Sequence, residues 1–154
     1  MTKKSPVELN AADIDTADDA VDDTGGFGIH IPFAKLLGIR VVEQTKSHAT
    51  LRVHSQPELL NSWGVANGGV VMTMLDLAMG SAVRGYLGRA LSVITVDISM
   101  AFLSPAHADI IATGRVLRGG KSLLFCEAEA RDVDGELLAK GMGTMQALEP
   151  REAK

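Results

Sequence analysis

From Gly68 to about Leu87 the chain reads as one long helix with almost no polar stripe. Val70, Val71, Met72, Met74, Leu75, Leu77, Ala78, Met79, Ala82 and Val83 leave nearly every side of it apolar. Such a helix has to be buried on nearly every side, so the rest of the chain must wrap it. The residues after it can do so. Four strand candidates follow, Leu91 to Leu103, Asp109 to Arg118, Ser122 to Arg131 and Glu136 to Leu148. Ser104-Pro105 separates the first two, and Gly119-Gly120 and Asp134-Gly135 suit hairpin turns between the others. In the third, Leu124, Cys126, Ala128 and Ala130 alternate with Glu127, Glu129 and Arg131, the period of a half-buried strand. In the fourth, Ala139, Gly141, Gly143, Met145 and Ala147 share a face, and their small size would let a sheet curl tightly over a helix.

Before the helix, Ile31 to Gly38 reads as a short helix with Pro32 in its first turn and Gly38 as its stop. Ile39 to His54 reads as one strand with a weak interior, and Pro57 to Ala66 as a connection. Gly85 and Gly88 are expected to end the long helix. The fold class is therefore α+β, with a curved antiparallel sheet of about five strands around one buried helix. Residues 1–26 are expected to be a disordered acidic leader, 27–148 one domain and 149–154 a tail.

Charge supports that division. The chain has 154 residues and a net charge of −4, yet residues 1–26 hold two lysines against seven acids. The remainder holds 13 basic and 12 acidic residues, so the body is about neutral and has no nucleic-acid footprint. Asp13, Asp15, Asp18, Asp19, Asp22 and Asp23 read as solvated leader rather than a metal site. Cys126 is the only cysteine, which rules out an internal disulfide and fits a packed core position. No apolar run follows Met-Thr-Lys-Lys-Ser-Pro, and runs in the body are broken by charge or glycine. The expectation is a cytoplasmic chain with no signal peptide and no membrane partner. His30, His48, His54 and His107 are scattered and form no metal pair. Trp63, Met72, Met74 and Met79 read as core or pocket wall.

Chemistry concentrates at residues 61–80. A glycine pair at a helix start offers backbone amides to a developing negative charge. Asp76 is a lone carboxylate among apolar neighbours, with Thr73 and Thr95 as candidate hydrogen-bond donors to it. Such a group suits a base or nucleophile, and the pair suggests acyl transfer to water. The structural alternatives are an acid that caps a backbone and glycines that serve a turn.

Asn61, Asn67-Gly68-Gly69, Asp76 and the run Thr95-Val-Asp-Ile-Ser-Met-Ala-Phe-Leu-Ser-Pro105 resemble the hotdog-fold acyl-CoA thioesterases of the phenylacetate-pathway (PaaI-like) type. Weaker parts of the likeness are Gly119-Gly-Lys-Ser and the closing Asp134-Gly-Glu-Leu-Leu-Ala-Lys-Gly. It spans roughly residues 30–148 and keeps the family's intervals from Asn61 to Gly68 and from Gly68 to Asp76. The resemblance implies that Asp76 is general base or nucleophile, the Gly68 amide polarises the thioester carbonyl, Asn61 orients carbonyl or water, and Thr95 positions the water. The family usually has histidine where this chain has Asn67, and asparagine can hydrogen-bond but cannot titrate.

Eight residues of helix separate Gly68 from Asp76 by about 12 Å along the axis. Donor and base must meet one carbonyl within about 3 Å, which one straight helix hardly allows. Two antiparallel helices across a two-fold axis do allow it, so the expected assembly is a homodimer, or a dimer of dimers, with shared sites. Gly69, Arg118, Lys121 and Ser122 are candidate substrate contacts; amides and cations of that hairpin suit the phosphates of coenzyme A. No cofactor is expected beyond the coenzyme A of the substrate. Alternative readings are a non-catalytic acyl-CoA or fatty-acid binding module and a hotdog dehydratase, the second disfavoured because position 67 lacks histidine.

Overall fold

The computed structural model describes residues 22–88, 92–120 and 122–148. A six-residue helix, α1 (Pro32–Leu37), leads into β1 (Arg40–Gln44) and β2 (Ala49–Val53). A 3-10 turn at Pro57–Leu59 precedes the long helix α2 (Gly68–Leu87), and β3 (Ser92–Phe102), β4 (Ile110–Gly119), β5 (Leu123–Asp132) and β6 (Leu137–Leu148) follow. The strands form one antiparallel sheet in the order β1-β2-β4-β5-β6-β3. The expected α+β wrap is present.

Three sequence expectations need correction. The sheet has six strands, because Ile39 to His54 is a hairpin and not one strand. Its turn contains neither glycine nor proline. The Thr45 hydroxyl accepts the N–H groups of Ser47 and His48, each at 3.1 Å, and the Thr45 N–H donates to the His48 carbonyl at 2.8 Å. A hydroxyl replaces the usual turn formers, so composition hides the reversal. Gly85 does not end α2, which runs on to Gly88 in the left-handed region (φ 67°). The chain between β4 and β5 reverses after Gly120, whose N–H donates to the Leu123 carbonyl at 2.8 Å, rather than at Gly119-Gly120.

The helix sits on the sheet with backbone nearly touching backbone. A Cβ built on Gly114 of β4 would land on the Ala78 carbonyl group of α2. One on Gly143 of β6 would come within 3.3 Å of the Met79 side chain of α2. Leu75, Met79, Leu124, Cys126, Ala128 and Met145 fill the space between. The small face of β6 is as the alternation suggested, but the closest approach is on β4. By length and composition alone α2 could cross a membrane, but Asp76, Gly80 and Arg84 interrupt its apolar run and 61% of its most apolar window is buried inside this fold.

Residues 1–21 of the leader lie outside the described residues. Its last part is placed: Gly25 accepts a hydrogen bond from the Val41 N–H at 2.9 Å, and Phe27 is buried against the core. Across the sheet, β4 is tied to β2 by Asp109, which accepts from Arg52 Nη2, His54 Nδ1 and the Ser55 N–H, all at 2.8 Å.

Gly114→Ala is expected to lower stability by about 1–3 kcal/mol, since an added carbon meets backbone that cannot rotate away; the shift in urea midpoint measures it. Asp109 gives a second test. Burial alone would push its carboxyl up, but the Ser55 N–H, Arg52 and His54 together hold it below the ordinary aspartate value. A folded pKa below the unfolded one means stability that is whole above the unfolded carboxyl range and is lost as pH falls through the folded value. Asp109→Asn should cost about 1–2 kcal/mol at neutral pH. It should also flatten the acid limb of melting temperature against pH.

Candidate active site

Asn67 begins the site. Its backbone is extended (φ −61°, ψ 136°), and its side-chain oxygen accepts the Gly69 N–H at 2.8 Å. It is thus the N-cap of α2, which is the hydrogen-bonding role open to an asparagine at that position. Gly68 follows as the first helical residue, where an amide has no acceptor within the helix. None of the described residues accepts from it. The Phe102 ring of β3 lies over it, 3.3 Å from where a Gly68 Cβ would stand.

Two turns along α2, Asp76 is half-buried. It faces β3, where the Thr95 hydroxyl donates to Asp76 Oδ1 at 2.5 Å. Among the described residues this is the one direct pairing of predicted site side chains. A bulge between Thr95 and Asp97 sets it up: Thr95 opposes the buried Met145, while Asp97 opposes Thr144 on the outer face. Simple alternation would put Thr95 and Asp97 on the same side, so the extra residue Val96 aims the hydroxyl at the helix. Thr73 does not share this role; its hydroxyl donates to the Gly69 carbonyl at 2.8 Å.

Asn61 shapes the approach to the helix. Its side-chain oxygen accepts the N–H groups of Trp63 at 2.8 Å and Val65 at 3.4 Å, folding residues 61–65 into a tight loop. Its amide nitrogen is the donor left for other partners. Trp63 is 88% exposed on that loop, so it is not a core residue. The methionines divide: Met74 and Met79 are fully buried, while Met72 is half-exposed. Cys126 is buried, and burial pushes its thiol up to about 12, which fits packing and not nucleophilic chemistry.

The basic hairpin lies elsewhere on the protomer. Arg118 is exposed at the end of β4 opposite Phe125, and Gly119 abuts the Tyr86 ring in the last turn of α2. Tyr86 is ten residues beyond Asp76, about 15 Å along the helix. Ser122 is exposed beside it, and Lys121 lies outside the described residues. A single chain therefore joins Asp76 to Thr95 and groups Asn67, Gly68 and Gly69 at the helix start, but leaves the hairpin apart from both.

Residues 64–139 match the family model of the thioesterase superfamily. A Saccharolobus solfataricus protein, named as an inferred esterase, is 30% identical over 115 residues that cover 74% of this chain and 81% of the relative. The chain belongs to the thioesterase superfamily. The medium/long-chain acyl-CoA thioesterase YigI of Salmonella typhimurium is 27% identical, with 77% of this chain and 86% of that protein aligned. Among solved structures, the Escherichia coli PaaI protein from the phenylacetic acid degradation operon superposes with a TM-score of 0.69 over 77% of this chain and 86% of that one, at 21% identity. That last likeness is one of fold, and it bears out the hotdog architecture of the chain. The family match spans Asn67, Gly68, Asp76 and Thr95, the residues the geometry singles out.

Asn67→Ala should cost about 1 kcal/mol through loss of the cap, read as a lower thermal midpoint. Asn67→Ser should restore most of it.

Proposed function

We propose that this protein is a homo-oligomeric acyl-CoA thioesterase whose sites are shared between two protomers. The observation that carries the reading is the Asp76 carboxylate held at 2.5 Å by Thr95, on the same helix as an unclaimed Gly68 amide about 12 Å away. A partner helix running antiparallel brings its Gly68 to this Asp76. Met72 on α2 and Phe102, whose ring lies over Gly68, are exposed apolar groups and support a covered face in the assembly.

In this scheme the thioester carbonyl oxygen points at the Gly68 amide, which stabilises negative charge as the carbonyl carbon becomes tetrahedral. Asp76 takes a proton from water as the water oxygen attacks that carbon. The carbon–sulfur bond then breaks, and the proton returns from Asp76 to the coenzyme A thiolate. Direct attack by Asp76, with water cleaving the resulting anhydride, uses the same residues. Thr95 fixes one carboxylate oxygen and leaves the other for the reacting atom. Asn61 and Asn67 hold the chain that presents the Gly68 amide, while the Gly69 N–H stays on the Asn67 side chain. Arg118, Lys121 and Ser122, on a hairpin that one protomer leaves apart from its Asp76, would take the coenzyme A phosphates in the assembly.

The test uses thiol release from an acyl-CoA panel. Asp76→Asn should lower kcat by about 10²–10⁴. Gly68→Pro removes the amide at a helix position where proline is well tolerated, and should cost about 10²–10³. Neither homo-oligomer turns over well, but co-refolding the two variants should restore about a quarter of wild-type activity, because half the dimers then hold one intact site. No recovery counts against shared sites. Tight binding of acyl-CoA with no thiol release by the wild type would make the protein a binding module instead.

A further inference from the structure

Asp76, Gly80 and Arg84 recur every four residues along α2 and so lie on one face of it. Arg84 is only 6% exposed. Its guanidinium leans back toward the helix start, as helical side chains do, and Nη2 donates to Ser81 Oγ at 3.0 Å. Its Nε has no partner among the described residues. None of the ion pairs among the described residues involves it. The Phe27 ring lies 5.9 Å from the guanidinium carbon, and the nearby helix C-terminus favours a cation. Neither supplies an acceptor to Nε. Burial without a counter-charge pushes the Arg84 pKa down, which records the cost of holding a cation there.

Gly80 is the second observation. It is buried, yet among the described residues a Cβ built on it would meet nothing within 4 Å. At Gly85 and Gly114 the fold itself forbids a side chain, because a Cβ would strike the Thr45 or Ala78 backbone. At Gly80 the described residues make no such contact, although glycine within a helix costs about 1 kcal/mol relative to alanine. Room is thus kept on the helix face between the carboxylate and the buried cation.

We propose that the acyl group lies along this face, past Gly80, and that Arg84 binds a carboxylate at its far end. The preferred substrates are then ω-carboxyacyl thioesters, the monothioesters of dicarboxylic acids. This rests on the thioesterase reading above and adds the substrate class to it. A carboxylate supplies the acceptor and counter-charge that Arg84 lacks, and guanidinium binds it through two parallel hydrogen bonds. The spacing sets the length. Asp76 and Arg84 are about 12 Å apart along the axis, and the backward lean of Arg84 shortens this by about one turn. A medium-length chain spans that distance and an acetyl group does not.

The experiment compares length-matched coenzyme A thioesters, suberoyl against octanoyl and adipoyl against hexanoyl, in the wild type and in Arg84→Gln, Arg84→Lys and Gly80→Ala. Wild-type kcat/KM should favour the carboxylate-tipped member of at least one pair by about 10-fold or more. Arg84→Gln should bring that ratio to about one or invert it, and Arg84→Lys should keep part of it. Gly80→Ala suits the helix, so it tests the channel even if Arg84 variants fold poorly. It should lower kcat/KM for suberoyl-CoA more than for acetyl-CoA. Hydrolysis without a carboxylate preference, or a preference untouched by Arg84→Gln in a folded protein, overturns this inference alone. Absence of thiol release from every thioester overturns the hydrolase reading and this inference with it.

Discussion

The contact between the backbone of α2 and the sheet at Gly114 sets the geometry of everything else. No side chain separates the Ala78 carbonyl from β4 at that point, so the helix cannot shift outward or roll without losing close packing on both sides. Its seat then determines which residues meet β6 and β3. Leu75 and Met79 go down toward Gly141 and Gly143, and Asp76, one position round the helix from Leu75, comes to the sheet edge where Thr95 waits. The depth of that seat is what brings the Thr95 hydroxyl within 2.5 Å of the carboxylate.

The same seat divides the helix face that the sheet leaves open. Toward the N-terminus, Gly69, Met72, Thr73 and Asp76 remain accessible in part. Toward the C-terminus, Gly80, Ser81 and Arg84 are buried, and the Phe27 ring lies 5.9 Å from the Arg84 guanidinium carbon. The open half suits a second protomer and the thioester, and the covered half suits the acyl chain. One continuous helix therefore carries the acid, the room beside Gly80 and the cation, while its own first amide is too distant to serve its own acid. In the proposed reaction, symmetry resolves that distance: each helix gives its start to its neighbour's middle.

Much of this was legible from the residues. The buried helix, the four strands after it to within a residue at each end, and the small face of β6 all followed from period and turn residues. The glycine pair and Asp76 stood out because amides at a helix start and an acid in an apolar run are uncommon. Other features were hidden for identifiable reasons. The β1–β2 turn is built from a threonine hydroxyl, which composition does not distinguish from a strand residue. Trp63 looked like core because it is large and aromatic, but the Asn61 side chain folds its loop so that the indole projects outward. The bulge at Val96 breaks alternation without any glycine to mark it.

The sequence by itself determined that a helix this apolar would be enclosed by a sheet, because no other arrangement removes so much apolar surface from water. It also determined which few groups were available for chemistry. Only the tertiary structure decided which of those groups meet. Thr95 reaches Asp76 through a bulge and a glycine-deep helix seat, the basic hairpin ends beside Tyr86 instead of the acid, and Arg84 is buried without a counter-charge. These are facts about distances between segments far apart in the chain. Periodicity fixes the direction a side chain takes from its own element, but what it meets depends on how closely two elements can approach, and here single glycines set that limit.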